Sequence, residues 1–525
     1  MSSTEKSKKL MRYRTHRSPS TPLRAATALA ASVAVLTGCA TSEDPNTSGS
    51  EVGSSDVLRY VAPGSSALST YDPHGLLPAE SDVVRMALTY DPLTIPGADG
   101  QTQPRLAASW EPDETLTEWT ITLRDDATFS DGSKVTAADA LFSLRRMGEK
   151  SAENSGRMER FDLAASEATS ETTLSLRTKE PYAEVGQALE GSTFVVPEGS
   201  ADFTELVPGS GPFRPAATDG QVEVFERNND WWGPVPPMGT IEMRAIPDPQ
   251  ARAEAVMSGQ ADLAAGVPAS AVVGLGDESD IDVVRHPGAT LYPLVMRTDT
   301  APFDDNRVRE AVRNALDREQ LLDVAFLGQG QLGNDLISPQ DPAAPDLPQR
   351  TRDLDRAREL MTEAGLADGV DVTLNSTTAY PGMDSAATLI GQQLADIGIR
   401  VNVELSPPDT YFHDVYAQRP FYVSYLGGIP FFDITQVVLR PNAPTNETAW
   451  SDPAWSAELA ETVAEPNDTT RNEGVAELMT TLRDEGGYAI WAASDRLDLA
   501  APGVTGVPEG IGFASAFIDQ VELLD

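Results

Sequence analysis

The side chains able to do chemistry are few and scattered. Cys39 is the single cysteine of the 525-residue chain, which excludes a disulfide framework and any cysteine-cluster metal site. Beyond the basic leader, His74, His286 and His413 lie in dissimilar segments with no ligand spacing between them, so no metal site is expected. Gly328-Gln329-Gly330-Gln331-Leu332-Gly333 satisfies Gly-x-Gly-x-x-Gly in form. A dinucleotide loop needs those glycines between a strand and a helix; here they follow a helix, which predicts a C-cap and loop. Gly209-Ser210-Gly211 has neither a lysine nor a helix start after it, which argues against a phosphate cradle. Its glycines are expected to adopt backbone conformations closed to other residues. No Gly-x-Ser-x-Gly, His-Glu-x-x-His, Walker-type or EF-hand pattern occurs. These absences leave no motif on which to place catalysis or a cofactor.

The charge balance narrows the partners. With 80 Asp and Glu against 39 Lys and Arg the formal net charge is -41, a surface that repels nucleic acid and anionic lipid headgroups. Length allows two or three domains with real cores.

At the start of the chain, Lys6, Lys8, Lys9, Arg12, Arg14, Arg17 and Arg24 precede an apolar run, 25–35, too short to span a bilayer as a permanent helix. That is the pattern of an export signal. It ends in Leu36-Thr37-Gly38-Cys39, which resembles the bacterial lipobox and implies cleavage before Cys39 with lipidation of its thiol. Residues 1–38 are thus expected to be a lipoprotein signal peptide, and 39–56, polar and without apolar periodicity, a flexible tether.

Local patterns then set the elements. In 104–147, Trp119, Ile121 and Leu123 alternate with threonines as a strand does. Ser130-Asp131-Gly132-Ser133 is turn chemistry, and Thr136 caps a run placing Ala140, Leu141, Leu144 and Met147 on one helical face. Further on, 354–364 and 384–397 read as helices stopped by Gly365 and Gly398, and 370–374 and 399–405 as strands. A strand, helix, strand unit of that length should close right-handed into a parallel pair. The segments 282–296 and 488–492 are expected to carry the chain between two halves.

In order, Pro-x-Leu-Ala-x-Ser-Trp, Trp-x-x-x-Leu-Arg, Phe-Ser-Asp-Gly-Ser and Val-Thr-Ala-x-Asp-Ala-x-Phe-Ser within 104–143 closely resemble the signature of the family 5 solute-binding proteins. Gly209-Ser210-Gly211-Pro212-Phe213, Asn228-Asn229-Asp230-Trp231-Trp232-Gly233 and Pro302-Phe303-Asp304-Asp305 resemble it too. The resemblance implies a two-lobe α/β fold of the periplasmic-binding-protein class II type with an extra subdomain. Lobe I would span 57–290, lobe II 291–487, and 488–525 would return to lobe I.

It further implies a monomeric, non-enzymatic receptor of an ATP-binding-cassette importer, without a cofactor, held outside the cytoplasm by the lipid on Cys39, that passes peptides to a permease and ATPase. Tyr71 and His74 fall on a loop that lies near the cleft in the family, and Tyr292, Tyr380, Tyr425, Phe431 and Phe432 are candidate apolar walls. Peptide-binding relatives place an aspartate for the peptide ammonium where this chain has Phe431. Either Asp433, displaced by about two positions, takes that role, or the ligand has no free amino terminus. Two alternatives stay open: a same-fold receptor for a metal chelate, opine or oligosaccharide, and a surface lipoprotein acting as enzyme or scaffold.

Overall fold

The computed structural model describes residues 56–524 except 66–69, 78, 98–99, 151–156, 219, 277–278, 442, 444 and 511. A twelve-stranded sheet runs through the body, and its middle is a long antiparallel pair, Asp282–Met296 and Tyr488–Ala500. These two crossing strands join two sets of shorter strands. Their register runs from Asp282 opposite Ala500 to Val295 opposite Tyr488, with breaks between His286 and Thr290 and between Tyr292 and Pro293. Pro287 and Pro293 have no amide to donate, so a ladder containing them breaks locally.

On one side Val57–Ala62 pairs in parallel with Thr240–Ala245 and Leu263–Ala264. On the other Val370–Thr377 pairs in parallel with Ile399–Ser406, and Asn375 with Tyr422. The predicted strand, helix, strand unit is therefore present, its helix running Met383–Ala395 and ending before Gly398 at φ +84°. Each set of strands has its own apolar core, one around Leu58, Met86, Phe213 and Ile241, the other around Leu294, Val312, Ile390 and Trp491. This is the two-lobe organisation.

Residues 104–147 fold as expected and head a third core. Strands Ala107–Pro112, Glu118–Leu123 and Thr173–Arg177 form a separate sheet, with helix Ala137–Lys150 against it. The helix opens with a reciprocal cap: the Thr136 amide donates to Asp139 at 2.8 Å, and the Asp139 amide to the Thr136 hydroxyl at 3.3 Å.

The motif residues hold these bodies together. Asp91, fully buried, accepts from Arg105 at 2.7 Å and from the indoles of Trp231 and Trp232 at 3.2 and 2.9 Å. Arg105 also lies over both indole rings, at 4.7 and 5.4 Å. The tryptophan pair thus packs a subdomain. After Pro302-Phe303-Asp304-Asp305, Arg309 and Arg313 reach the carbonyls of Gly486 and Tyr488, where the second crossing strand begins. Burial pushes the Arg313 guanidinium down to about 9.

Two expectations need correction. Neither Gly209 nor Gly211 has a positive φ. They are there for close approach, since a Cβ at Gly209 would stand 1.9 Å from the Thr89 carbonyl oxygen, and one at Gly211 2.6 Å from that of Leu88. The return crossing is longer than 488–492: it stays paired with the first crossing strand as far as Ala500, where it also meets Leu263–Ala264 of the first lobe. The Gly-x-Gly-x-x-Gly run behaves as read. Leu327 and Gly328, at φ +53° and +73°, end helix Arg318–Phe326, and Gly330–Leu332 joins the second crossing strand.

Candidate functional site

Register alone locates the cleft. Phe421–Val423 runs antiparallel to the first crossing strand, so the carboxyl ends of the parallel strands in the second lobe point towards the first lobe. Leu263–Ala264 runs antiparallel to the second crossing strand, so the carboxyl ends in the first lobe point back. The two carboxyl edges face each other, and such edges are where open α/β sheets hold ligands.

From the second-lobe edge rise Tyr380, after Val370–Thr377; Phe412, on helix Pro408–Asp414; and Tyr425, beyond Phe421–Val423. Tyr380 and Tyr425 lie 4.0 Å apart between ring centroids, and Phe412 meets both edge-on at 6.1 and 5.5 Å. Tyr380 and Tyr425 are half-buried and Phe412 is 36% exposed, so the group offers a face to solvent. Burial and the Tyr425 hydroxyl push the Tyr380 phenol up from its ordinary value.

Beside this wall, the Phe431 amide at the start of helix Phe431–Val438 donates to Asp341 at 2.9 Å. Phe431 is fully buried and Phe432 nearly so. Asp433 points across to the extra subdomain, where Arg160 donates to it at 2.7 Å. Arg160 in turn lies over the Tyr182 ring at 4.6 Å and donates to its hydroxyl, while Tyr182 meets Phe432 edge-on at 6.5 Å. Arg471 pairs with Glu184, and the Ala183 amide donates to the Val463 carbonyl at 2.9 Å. The two sides are in contact here.

Near these contacts stand Arg157 and Glu190. Arg157 donates to the Ser192 hydroxyl and, at 3.2 Å, to the Glu190 main-chain carbonyl. The Glu190 carboxylate accepts from the Thr102 hydroxyl at 2.5 Å. Burial raises its pKa to about 7, opposed by the Thr102 bond and reinforced by the negative charge of Asp433.

The remaining candidates fall elsewhere. His74 is fully buried, its Nε2 2.8 Å from the Phe194 carbonyl oxygen and its Nδ1 3.0 Å from Arg146, which also donates to Asp72 at 2.6 Å. Tyr71 lies under the Arg85 guanidinium, 5.4 Å from its ring centroid. Tyr292 sits in the second-lobe core, 4.7 Å from Phe326 and 5.7 Å from Trp491, with its phenol raised by burial to about 12. Cys39, the leader and most of the tether lie outside the described residues. Among the described residues no group of three His, Cys, Asp or Glu is placed to hold a metal, and no helix is long and apolar enough to cross a membrane.

The model of the bacterial extracellular solute-binding proteins, family 5 (middle region), matches residues 101–446. The chain belongs to that family. The nickel-binding periplasmic protein of Escherichia coli (strain K12) is 25% identical over 470 residues, 83% of this chain and 89% of its own length. The glutathione-binding protein GsiB of Salmonella paratyphi A is 26% identical over 303 residues, 55% of this chain and 58% of its own. The solved structure of the periplasmic binding protein DppA from Helicobacter pylori, in complex with the peptide STSA, superposes with a TM-score of 0.72 at 21% identity. It covers 89% of this chain and 98% of that one. That likeness shows the fold.

Arg157, Arg160, Tyr182, Glu184 and Glu190 escaped the sequence reading. Arg160 and Asp433 are 273 positions apart, and no spacing rule connects them. The available signal was two arginines three apart, Arg157 and Arg160, in a chain poor in cations.

Proposed function

We propose that this family 5 solute-binding protein captures a peptide-class solute between its lobes and delivers it unchanged to the permease of an ATP-binding-cassette importer. The observation that carries the reading is the mixed character of the facing surfaces. A half-buried aromatic wall, Tyr380, Phe412 and Tyr425, stands on the same lobe as Asp433, and groups of both signs, Arg157 and Glu190, approach from the other side. A peptide offers the matching set: apolar side chains, an ammonium, a carboxylate, and a main chain able to pair with exposed backbone.

Contacts to both sides exist only when the lobes are shut, so ligand shifts the population towards the closed shape that a permease would recognise. Division of the body at 290/291 and 487/488, monomeric state, export by the 1–38 signal and lipid anchoring through Cys39 belong to the same proposal. The anchor would keep the receptor on the outer face of the membrane.

The second reading, a receptor for a chelate or opine, is favoured by one observation: Asp433 already has a cation in Arg160. Relatives differ in cargo in the same way, one named for nickel and another for glutathione. A thermal-shift screen of peptides, metal chelates, opines and oligosaccharides separates the readings. A ligand at 100 times its dissociation constant stabilises by about 2.7 kcal/mol. Stabilisation by chelates or opines alone would replace the peptide reading with the second.

A further inference from the structure

We propose that Glu190 anchors the cationic end of the ligand, a role that Asp433 does not fill. The proposal rests on the peptide-class reading where it takes that cation to be an α-ammonium.

The acids around the facing surfaces differ in what answers them. Asp433 has the Arg160 guanidinium at 2.7 Å, and Glu184 has Arg471. Asp341 takes the amides of Phe431 and Ala343, both at 2.9 Å. Glu190 has the hydroxyl of Thr102, a neutral donor, and no ion pair among the described residues.

Arg157, the cation nearest to it, directs its guanidinium to the Ser192 hydroxyl and to the Glu190 carbonyl instead of the carboxylate. Asp433 and Glu184 lie within electrostatic reach of the Glu190 carboxylate and repel its charge, while Arg157 attracts it without forming an ion pair. A half-buried carboxylate with two acids nearby and no cation bonded to it has lost hydration that one hydroxyl and an unpaired guanidinium replace only in part.

An ammonium or guanidinium brought by a ligand supplies what is missing, through a charge-assisted hydrogen bond stronger than the hydroxyl contact. The same cation relieves the repulsion from Asp433. Because Asp433 belongs to the second lobe and Glu190 to the opposite side, that relief is largest with the lobes shut. Recognition of the cation and closure then favour one another.

The test uses the mature protein, Glu190→Gln and Asp433→Asn, titrated calorimetrically with Ala-Phe and Ala-Ala-Phe, their N-acetyl forms, and the non-peptide cations putrescine and agmatine. The expected result is that acetylation weakens peptide binding at least tenfold in the parent and in Asp433→Asn. In Glu190→Gln free and acetylated peptides bind alike.

Peptides bound equally with and without acetylation, and unaffected by Glu190→Gln, would overturn the Glu190 assignment and leave the peptide reading standing. Putrescine or agmatine bound in place of peptides, and lost in Glu190→Gln, would support the anchor and overturn the peptide reading. Binding of none of these probes would overturn both. The glutamine is isosteric and still accepts from Thr102, so a matching melting temperature separates lost binding from lost folding.

Discussion

Two clusters of buried charge, one at the crossing strands and one between the facing surfaces, are answered to different degrees. At the crossing strands Arg496 bonds Asp498 at 2.8 Å, Glu80 at 2.5 Å and the Ser515 hydroxyl at 2.7 Å. His286 sits 2.9 Å from Asp498 and 2.7 Å from the Gly510 carbonyl oxygen, Tyr60 donates to Glu80, and the Gly266 amide donates to Asp498. Between the facing surfaces neither Glu190 nor Arg157 forms an ion pair among the described residues, although the two lie within electrostatic reach of each other. Charges that answer one another fix geometry. On the proposal made for Glu190, charges left half-answered are bonding capacity open to a ligand.

The sharpest way to break this comparison is to remove one cation from the answered cluster. Arg496→Met strands Asp498 and Glu80 in a buried site, and breaking such a pair costs about 3–5 kcal/mol. Glu190→Gln, which removes a charge that burial disfavours, is expected to leave stability unchanged or slightly raised. Urea denaturation of both variants checks the pair of outcomes. Similar losses from the two would mean that Glu190 is as structural as Arg496 and that the distinction is false.

Next in size is the response to pH, which has opposite sign at Asp498 and at Glu190. Burial alone would raise Asp498, but Arg496 and His286 outweigh it and hold the acid at about 2. Its contribution is present above the unfolded aspartate value and is lost as pH falls through 2, a change of about 2–3 kcal/mol. Glu190 is raised to about 7, chiefly by burial. Its neutral form is the favoured one, so its contribution is full below the unfolded glutamate value and is lost as pH rises through 7. The size is on the order of 2 kcal/mol. Glu447, buried with the Tyr422 hydroxyl at 3.0 Å and also raised to about 7, adds a slope of the same sign. The difference between the parent and Glu190→Gln isolates Glu190: denaturation from pH 4.5 to 8 should show a shallower decline in the variant. Parallel curves would refute the assigned protonation.

The contrast also explains what could be read from the chain. Strands such as Glu118–Leu123 and helices such as Leu354–Glu363 were legible because period and caps are local properties of neighbouring residues. Two motifs carried fold information for a definite reason: Asp91, Trp231 and Trp232 meet around Arg105, and Arg309 and Arg313 fasten the start of the second crossing strand.

His74 was misleading because loop position implies nothing about burial, and here Arg146 and the Phe194 carbonyl enclose its ring. Phe431, aligned with a ligand-binding aspartate, became core once its helix turned that side chain inward. Asp433 stands out from the sequence, yet the Arg160 that answers it lies 273 positions away, where no spacing rule points to it. Long-range pairing of charge is the part that a one-dimensional reading lacks rules for.

The smallest expected effect separates two ion pairs that both join the extra subdomain to the second lobe. Arg160 and Asp433 are 13% and 12% exposed, whereas Arg440 and Glu159, 2.6 Å apart, are 46% and 57% exposed. Distance does not distinguish these pairs; hydration does. The enclosed pair resists screening, so Arg160→Ala should favour the open form by about 1–2 kcal/mol, seen as a larger radius of gyration in solution scattering. The exposed pair exchanges one set of water contacts for another, and Arg440→Ala should shift the same equilibrium by less than about 0.5 kcal/mol, an effect that vanishes at 0.5 M salt. If Arg440→Ala opened the lobes as far as Arg160→Ala does, closure would depend on rim charge, and the enclosed contacts around Tyr182 and Phe432 would no longer define the shut state.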